Sequence, residues 1–183
     1  MNAGQRARFW LPAAGLVAGG VLTWIGVARA ARVPVLSLVD LGFHELGHLV
    51  GAPFSDVATA MAGSIAQVVV PLMLAVYFLL AQRDWTGMGL CLVWAGTSTR
   101  SVALYIADAP HRLLPLIGGD HDWAFILGRT GRLDQAGAIA GDVTTVATVL
   151  AIVGVLACAW AVVDARLSIQ PVAGTAVGRS GRS

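Results

Sequence analysis

Residues 34–51 read PVLSLVDLGFHELGHLVG, and the reading of this stretch constrains the rest of the chain. Pro34 suits the first turn of a helix. At 100° per residue, Ser37, Asp40, His44, His48 and Gly51 share one face. Leu36, Val39, Phe43, Leu46 and Val50 cover most of the remainder. Polar groups facing lipid are costly, so an apolar helix with one polar stripe must turn that stripe toward other helices or water. The expectation is a helix docked by its polar face onto a bundle of apolar helices.

The surrounding sequence supplies such a bundle. The chain of 183 residues is 57% hydrophobic and only 12% charged, with a mean hydropathy of +0.76. A soluble domain of this size has too little interior to hide that much apolar surface. One domain is expected, over residues 1–167, followed by a Gly/Ser/Arg-rich tail at 168–183 that reads as disordered. Lysine is absent, and the net charge of +2 is small and dispersed, so nucleic-acid binding has no support. Cys91 and Cys158 fall inside apolar runs and read as small buried hydrophobes, not as a disulfide.

The fold class expected is all-α: a polytopic membrane bundle of about five hydrophobic helices, with the motif helix spanning or re-entrant. Apolar runs at Phe9–Val27, Ala58–Ala81, Met88–Ala107 and Val143–Val163 supply the others. On the run beginning at Met88, Trp94, Ser98, Ser101, Tyr105 and Asp108 lie within about 80° of one another, a polar stripe suited to face the motif helix. Residues 109–141 form the one long hydrophilic stretch. There Asp120 reads as an N-cap and Gly128 as the stop of a two-turn helix, with His121 and Asp122 in its first turn.

Within the motif, His44 and His48 lie four apart, so their imidazoles stand one turn above the other and can grip one zinc ion. Glu45 lies about 100° round the helix, where it can reach a water held by the metal and act as general base. It is the sole glutamate in the chain, and there are four histidines. An accidental His-Glu-x-x-His would then arise in about 0.0005 of shuffled chains.

Catalytic zinc takes three protein ligands. His121 leads the candidates for the third by ligand type, and Asp108, Asp122 and Asp120 are the alternatives. Asp40 is placed either to hold the second nitrogen of His44 or to face water at the helix start. Gln67 reads as an interhelical hydrogen bond or as a donor to a substrate carbonyl, and Tyr105 or Gln67 as support for an oxyanion.

The HELGH sequence in an apolar helix, within a chain of about five spans, resembles the site-2-protease group of intramembrane zinc metalloproteases. The resemblance covers the motif helix and carries over His44 and His48 as zinc ligands and Glu45 as general base. It implies a later aspartate as third ligand, in a Leu-Asp-Gly-type sequence. The nearest analogues here are Ala107-Asp108-Ala109 and Gly119-Asp120-His121-Asp122. The stretch from Tyr105 to Trp123 also resembles small bacterial membrane proteins with an HExxH helix. These likenesses imply Zn2+ as cofactor, location in a bacterial plasma membrane among lipid, and a membrane protein or peptide as substrate. The competing expectation is a zinc-binding membrane protein without catalysis, a sensor, carrier or structural partner.

Overall fold

The computed structural model describes residues 3–115 and 120–169. Among them are six α-helices and no strand: α1 (Ala3–Leu22), α2 (Pro34–Gly51), α3 (Asp56–Tyr77), α4 (Trp85–Asp108), α5 (Asp122–Arg129) and α6 (Ala136–Ile169). A π-helical turn extends α1 to Ala28 and another extends α3 to Gln82. The all-α expectation is met. Four helical segments, Trp10–Ala28, Asp56–Gln82, Trp85–Asp108 and Leu133–Ser168, are long and apolar enough to cross a membrane, which marks the chain as a membrane protein. The motif helix α2 is not among them. Its 18 residues make a rod of about 27 Å.

Helix boundaries follow local chemistry. Pro34 opens α2, Ser55 caps α3 by accepting from the Ala58 N–H, and Asp84 caps α4 by accepting from the Thr86 N–H. Two sequence expectations shift. His121, not Asp120, occupies the cap position of α5, because its Nδ1 accepts from the Ala124 N–H at 3.2 Å. The last span begins well before Val143, since a short 3-10 turn at Leu133–Gln135 runs straight into α6. The tail expectation lies outside the described residues from position 170 onward.

Helix α4 is the centre of the bundle. It packs most extensively on α6, and α1 leans on both. Gly89 and Gly154 let the α4 and α6 backbones meet, because a Cβ at either would strike the other helix's backbone. Arg100 of α4 finds a partner in Thr144 of α6, to which its Nη1 donates at 3.4 Å. On another flank α3 packs against α4, and α2 lies on α3.

The α2–α3 contact depends on missing side chains. A Cβ on Gly47 would overlap the Ala62 carbonyl, and one on Gly51 would press on Ala62 and Thr59. The Thr59 hydroxyl then donates to the Gly51 carbonyl at 2.9 Å, closing the C-terminal turn of α2. With α2 so placed, Asp40, Gly47 and Gly51 are buried, while Val35, Leu38, Leu49 and Val50 point away from the bundle and are exposed. The polar stripe faces inward as the periodicity requires.

Gly47→Ala should therefore destabilise the protein in detergent by about 1–3 kcal/mol, the usual cost of overpacking. Gly42→Ala is the control, because a Cβ there meets nothing within 4 Å and gains helix propensity. Thermal unfolding of the two variants side by side checks this, and equal midpoints would remove the close-approach argument.

Candidate metal centre

Three side chains from two helices, His44 and His48 of α2 and Asp122 of α5, converge above α3. His44 Nε2 lies 3.0 Å from Asp122 Oδ2, and His48 Nε2 lies 3.4 Å from the same oxygen. One ligand atom from each of His44, His48 and Asp122 falls within 4.8 Å of the others. The rings of the two histidines meet edge to face at 4.7 Å. Gly63 of α3 lies directly beneath them: a Cβ added there would sit 2.7 Å from His48 Nε2 and 2.8 Å from His44 Nε2.

The hydrogen bonds behind the imidazoles determine which nitrogen carries the proton. Gln67 donates through Nε2 to the Ser98 carbonyl at 3.4 Å, which turns its Oε1 toward His44. His44 Nδ1 donates to that oxygen at 2.9 Å. His48 Nδ1 donates to the Thr59 carbonyl at 2.9 Å. Both rings thus hold their proton on Nδ1 and present an Nε2 lone pair to the cluster, the tautomer a metal-ligating histidine needs.

Asp122 is fixed from its own side. The Tyr105 hydroxyl accepts from the Asp122 N–H at 3.1 Å and lies 3.5 Å from Asp122 Oδ2. Trp123, the next residue, donates through Nε1 to Ser64 Oγ of α3 at 3.0 Å. The first turn of α5 is therefore pinned to α4 by Tyr105 and to α3 by Trp123.

With both rings neutral, two imidazole lone pairs and a carboxylate oxygen face one another here. Neutral imidazole lone pairs at hydrogen-bond distance from a carboxylate oxygen repel, and a cation bound among them removes that repulsion. Two imidazoles and a carboxylate are also a set that divalent zinc accepts. The donor chemistry fits a metal ion.

The other candidates for third ligand are used elsewhere. His121 is buried, stacks on Tyr105 with ring centroids 4.1 Å apart, and caps α5 through Nδ1. Its Nε2 faces Asp108 Oδ2 at 3.4 Å. Burial pushes this imidazole below its ordinary range, against the pull of Asp108. Asp108 accepts from the Leu113 and Leu114 N–H groups, each at 3.0 Å, and so shapes the turn after α4. Asp120 is exposed on the rim of the cavity. The geometry thus closes the cluster with Asp122 and not with His121, which the sequence favoured on ligand type.

The expected partner of His44 also changes. Asp40 does not reach its second nitrogen, because Asp40 is drawn to α4 by Trp94 and Ser98. Gln67 holds His44 instead. The polar stripe of α4 does face α2 through Trp94, Ser98 and Tyr105, while Ser101 stays exposed. One residue that sequence reasoning did not single out, Thr59, matters here, as does Gly63, which the sequence offered only as a close-packing position beside Ser64. Thr59 acts through a backbone carbonyl, which leaves no side-chain signature, and Gly63 acts by lacking a side chain, for which its small-residue setting beside Ser64 was the available clue.

A cavity of about 1300 Å³ opens beside the cluster, lined by His44, Glu45, His48, Asp122 and apolar residues including Leu41 and Phe125. Glu45 is exposed within it. Comparison with protein-family models, curated proteins and solved structures gives no match.

The arrangement ranks variants. In a competitive zinc titration of purified protein, Asp122→Ala should lose tight binding. Gly63→Ala should weaken it by displacing both rings, and Gln67→Leu should weaken it about 10–100-fold through the freed His44 ring. His121→Ala, with the helix cap lost, should still bind. Loss of zinc in His121→Ala with retention in Asp122→Ala would reverse the assignment.

Proposed function

We propose that the chain is a zinc-dependent intramembrane hydrolase, a metallopeptidase acting on peptide bonds within or next to the bilayer. The observation that carries this reading is the convergence of two metal-ready imidazole nitrogens and a carboxylate oxygen on a large cavity that also holds Glu45. A binding protein without catalysis has no need of an exposed carboxylate beside the ligands.

His44, His48 and Asp122 would hold the ion, and zinc so held supplies a Lewis acid for the scissile carbonyl and makes water a nucleophile near neutral pH. Glu45 takes the proton of the attacking water and returns it to the leaving amine. Tyr105 keeps the Asp122 carboxylate in place through the backbone N–H it accepts. Gln67 and Thr59 keep the imidazole lone pairs aimed inward. The substrate is a membrane protein or peptide, and its bond must unwind before cleavage because a helical peptide group is shielded. The apolar stretches lining the cavity suit such a segment. The protein acts as a multi-pass component of a bacterial plasma membrane.

Glu45→Gln separates metal binding from chemistry. Purified in detergent, this variant should keep the zinc content of the wild type. It should cut a panel of single-span transmembrane peptides at least about a hundredfold more slowly, the loss expected for a general base. Unchanged cleavage would remove Glu45 from the mechanism.

A further inference from the structure

Asp40, one turn before His44 on α2, is an acidic group that the chemistry above leaves unused. It is only 7% exposed. Trp94 Nε1–H donates to it at 2.7 Å and Ser98 Oγ–H at 2.6 Å, and both donors bond the same oxygen, Oδ1. Oδ2 takes no hydrogen bond among the described residues, yet it is not sealed off, and Asp40 lines the same large cavity as His44, Glu45 and Asp122. Ser37, one turn earlier, gives its hydroxyl proton to the Val33 carbonyl and offers nothing. No arginine pairs with Asp40 among the described residues.

A carboxylate held in an apolar bundle without a counter-charge is expensive, and residues of this kind are kept where a ligand completes them. The two donors steady Oδ1 and orient the group, which leaves Oδ2 as the acceptor without a partner among the described residues on a side chain that lines the cavity. One oxygen without companion ligands is a poor site for a divalent ion, which wants several. It suits a single N–H donor, and an ammonium supplies both the donor and the missing charge.

We propose that Asp40 Oδ2 is a binding subsite for a primary ammonium group carried on an apolar chain, held one helical turn from the His44–His48–Asp122 cluster. As a ligand site it stands whether or not the cavity hydrolyses anything. Its role in selecting substrates that bear an amine near the cleaved bond rests on the peptidase reading.

The test uses full-length protein in detergent, stripped of metal, so that binding is read without turnover. Dodecylamine is titrated against dodecanol by thermal shift and tryptophan emission. The amine should bind at least about tenfold more tightly than the alcohol, as expected for a charge-assisted bond. Asp40→Asn keeps an oxygen for Trp94 and Ser98 but loses the charge and the free acceptor, and it should abolish the preference. Equal binding of amine and alcohol to the wild type overturns the proposal even if the variant misfolds, as does a preference that survives in Asp40→Asn. Nanodiscs separate the two sources of such a group. Competition with dodecylamine by phosphatidylethanolamine but not phosphatidylcholine assigns the subsite to a lipid headgroup. Equal binding in both assigns it to an amine on a peptide. Because Glu45→Gln reports cleavage and dodecylamine reports binding, failure of one reading leaves the other intact.

Discussion

The close approach of α2 to α3 places both imidazoles of the candidate centre. Glycines at 47, 51 and 63 remove the side chains that would hold the two helices apart. Two backbone-level consequences follow. The Thr59 carbonyl comes within 2.9 Å of His48 Nδ1, and the Cα of Gly63 leaves room for both Nε2 atoms above it. In lipid, helices gain nothing hydrophobic by associating, so tight van der Waals contact and interhelical hydrogen bonds must do that work. The same contact that docks α2 therefore also chooses the imidazole tautomers. A helix packed one ångström further out would lose both the packing and the proton placement.

The polar groups of the bundle form two layers that meet at Ser98. In one, Asp40 is tied to Trp94 and Ser98, which brings the start of α2 onto α4. In the other, Gln67 bridges His44 and the Ser98 carbonyl, so α2, α3 and α4 meet through a single amide. Ser98 belongs to both layers, through its hydroxyl in the first and its carbonyl in the second. Each bond satisfies a group that lipid would leave unpaired, and that penalty makes the network worth keeping.

Much of this architecture is legible in residues 34–51. Helical periodicity gives the inward face of α2, and the spacing of His44 and His48 gives a shared direction for the rings. The stripe on α4 identifies the helix that Asp40 meets, since Trp94 and Ser98 lie on it. What periodicity cannot give is the choice among polar partners that lie at similar depth. Asp40 and Gln67 were both within plausible reach of His44, and the outcome turned on Ser98, whose hydroxyl claims the first and whose carbonyl orients the second. The loop residues were harder still. His121 and Asp122 are adjacent in sequence, and helix phase decides which of them points at α2. That phase is set by an unusual cap: the imidazole of His121 accepts from the Ala124 N–H, a role the sequence assigned to Asp120.

In a cluster that held a dication, charge would favour a carboxylate over an imidazole in the third position. A dication bound by three neutral histidines would keep both its charges in a site bordered by apolar helices, where uncompensated charge is costly. Replacing one imidazole by the Asp122 carboxylate would remove one unit. Asp122 also lies in the first turn of α5, where the helix dipole favours a negative group. His121 one residue earlier would bring no charge and would leave α5 without its cap. Ranking ligands by softness alone points to histidine, whereas ranking them by the charge that the bundle must accommodate points to the aspartate that the fold brings to the cluster.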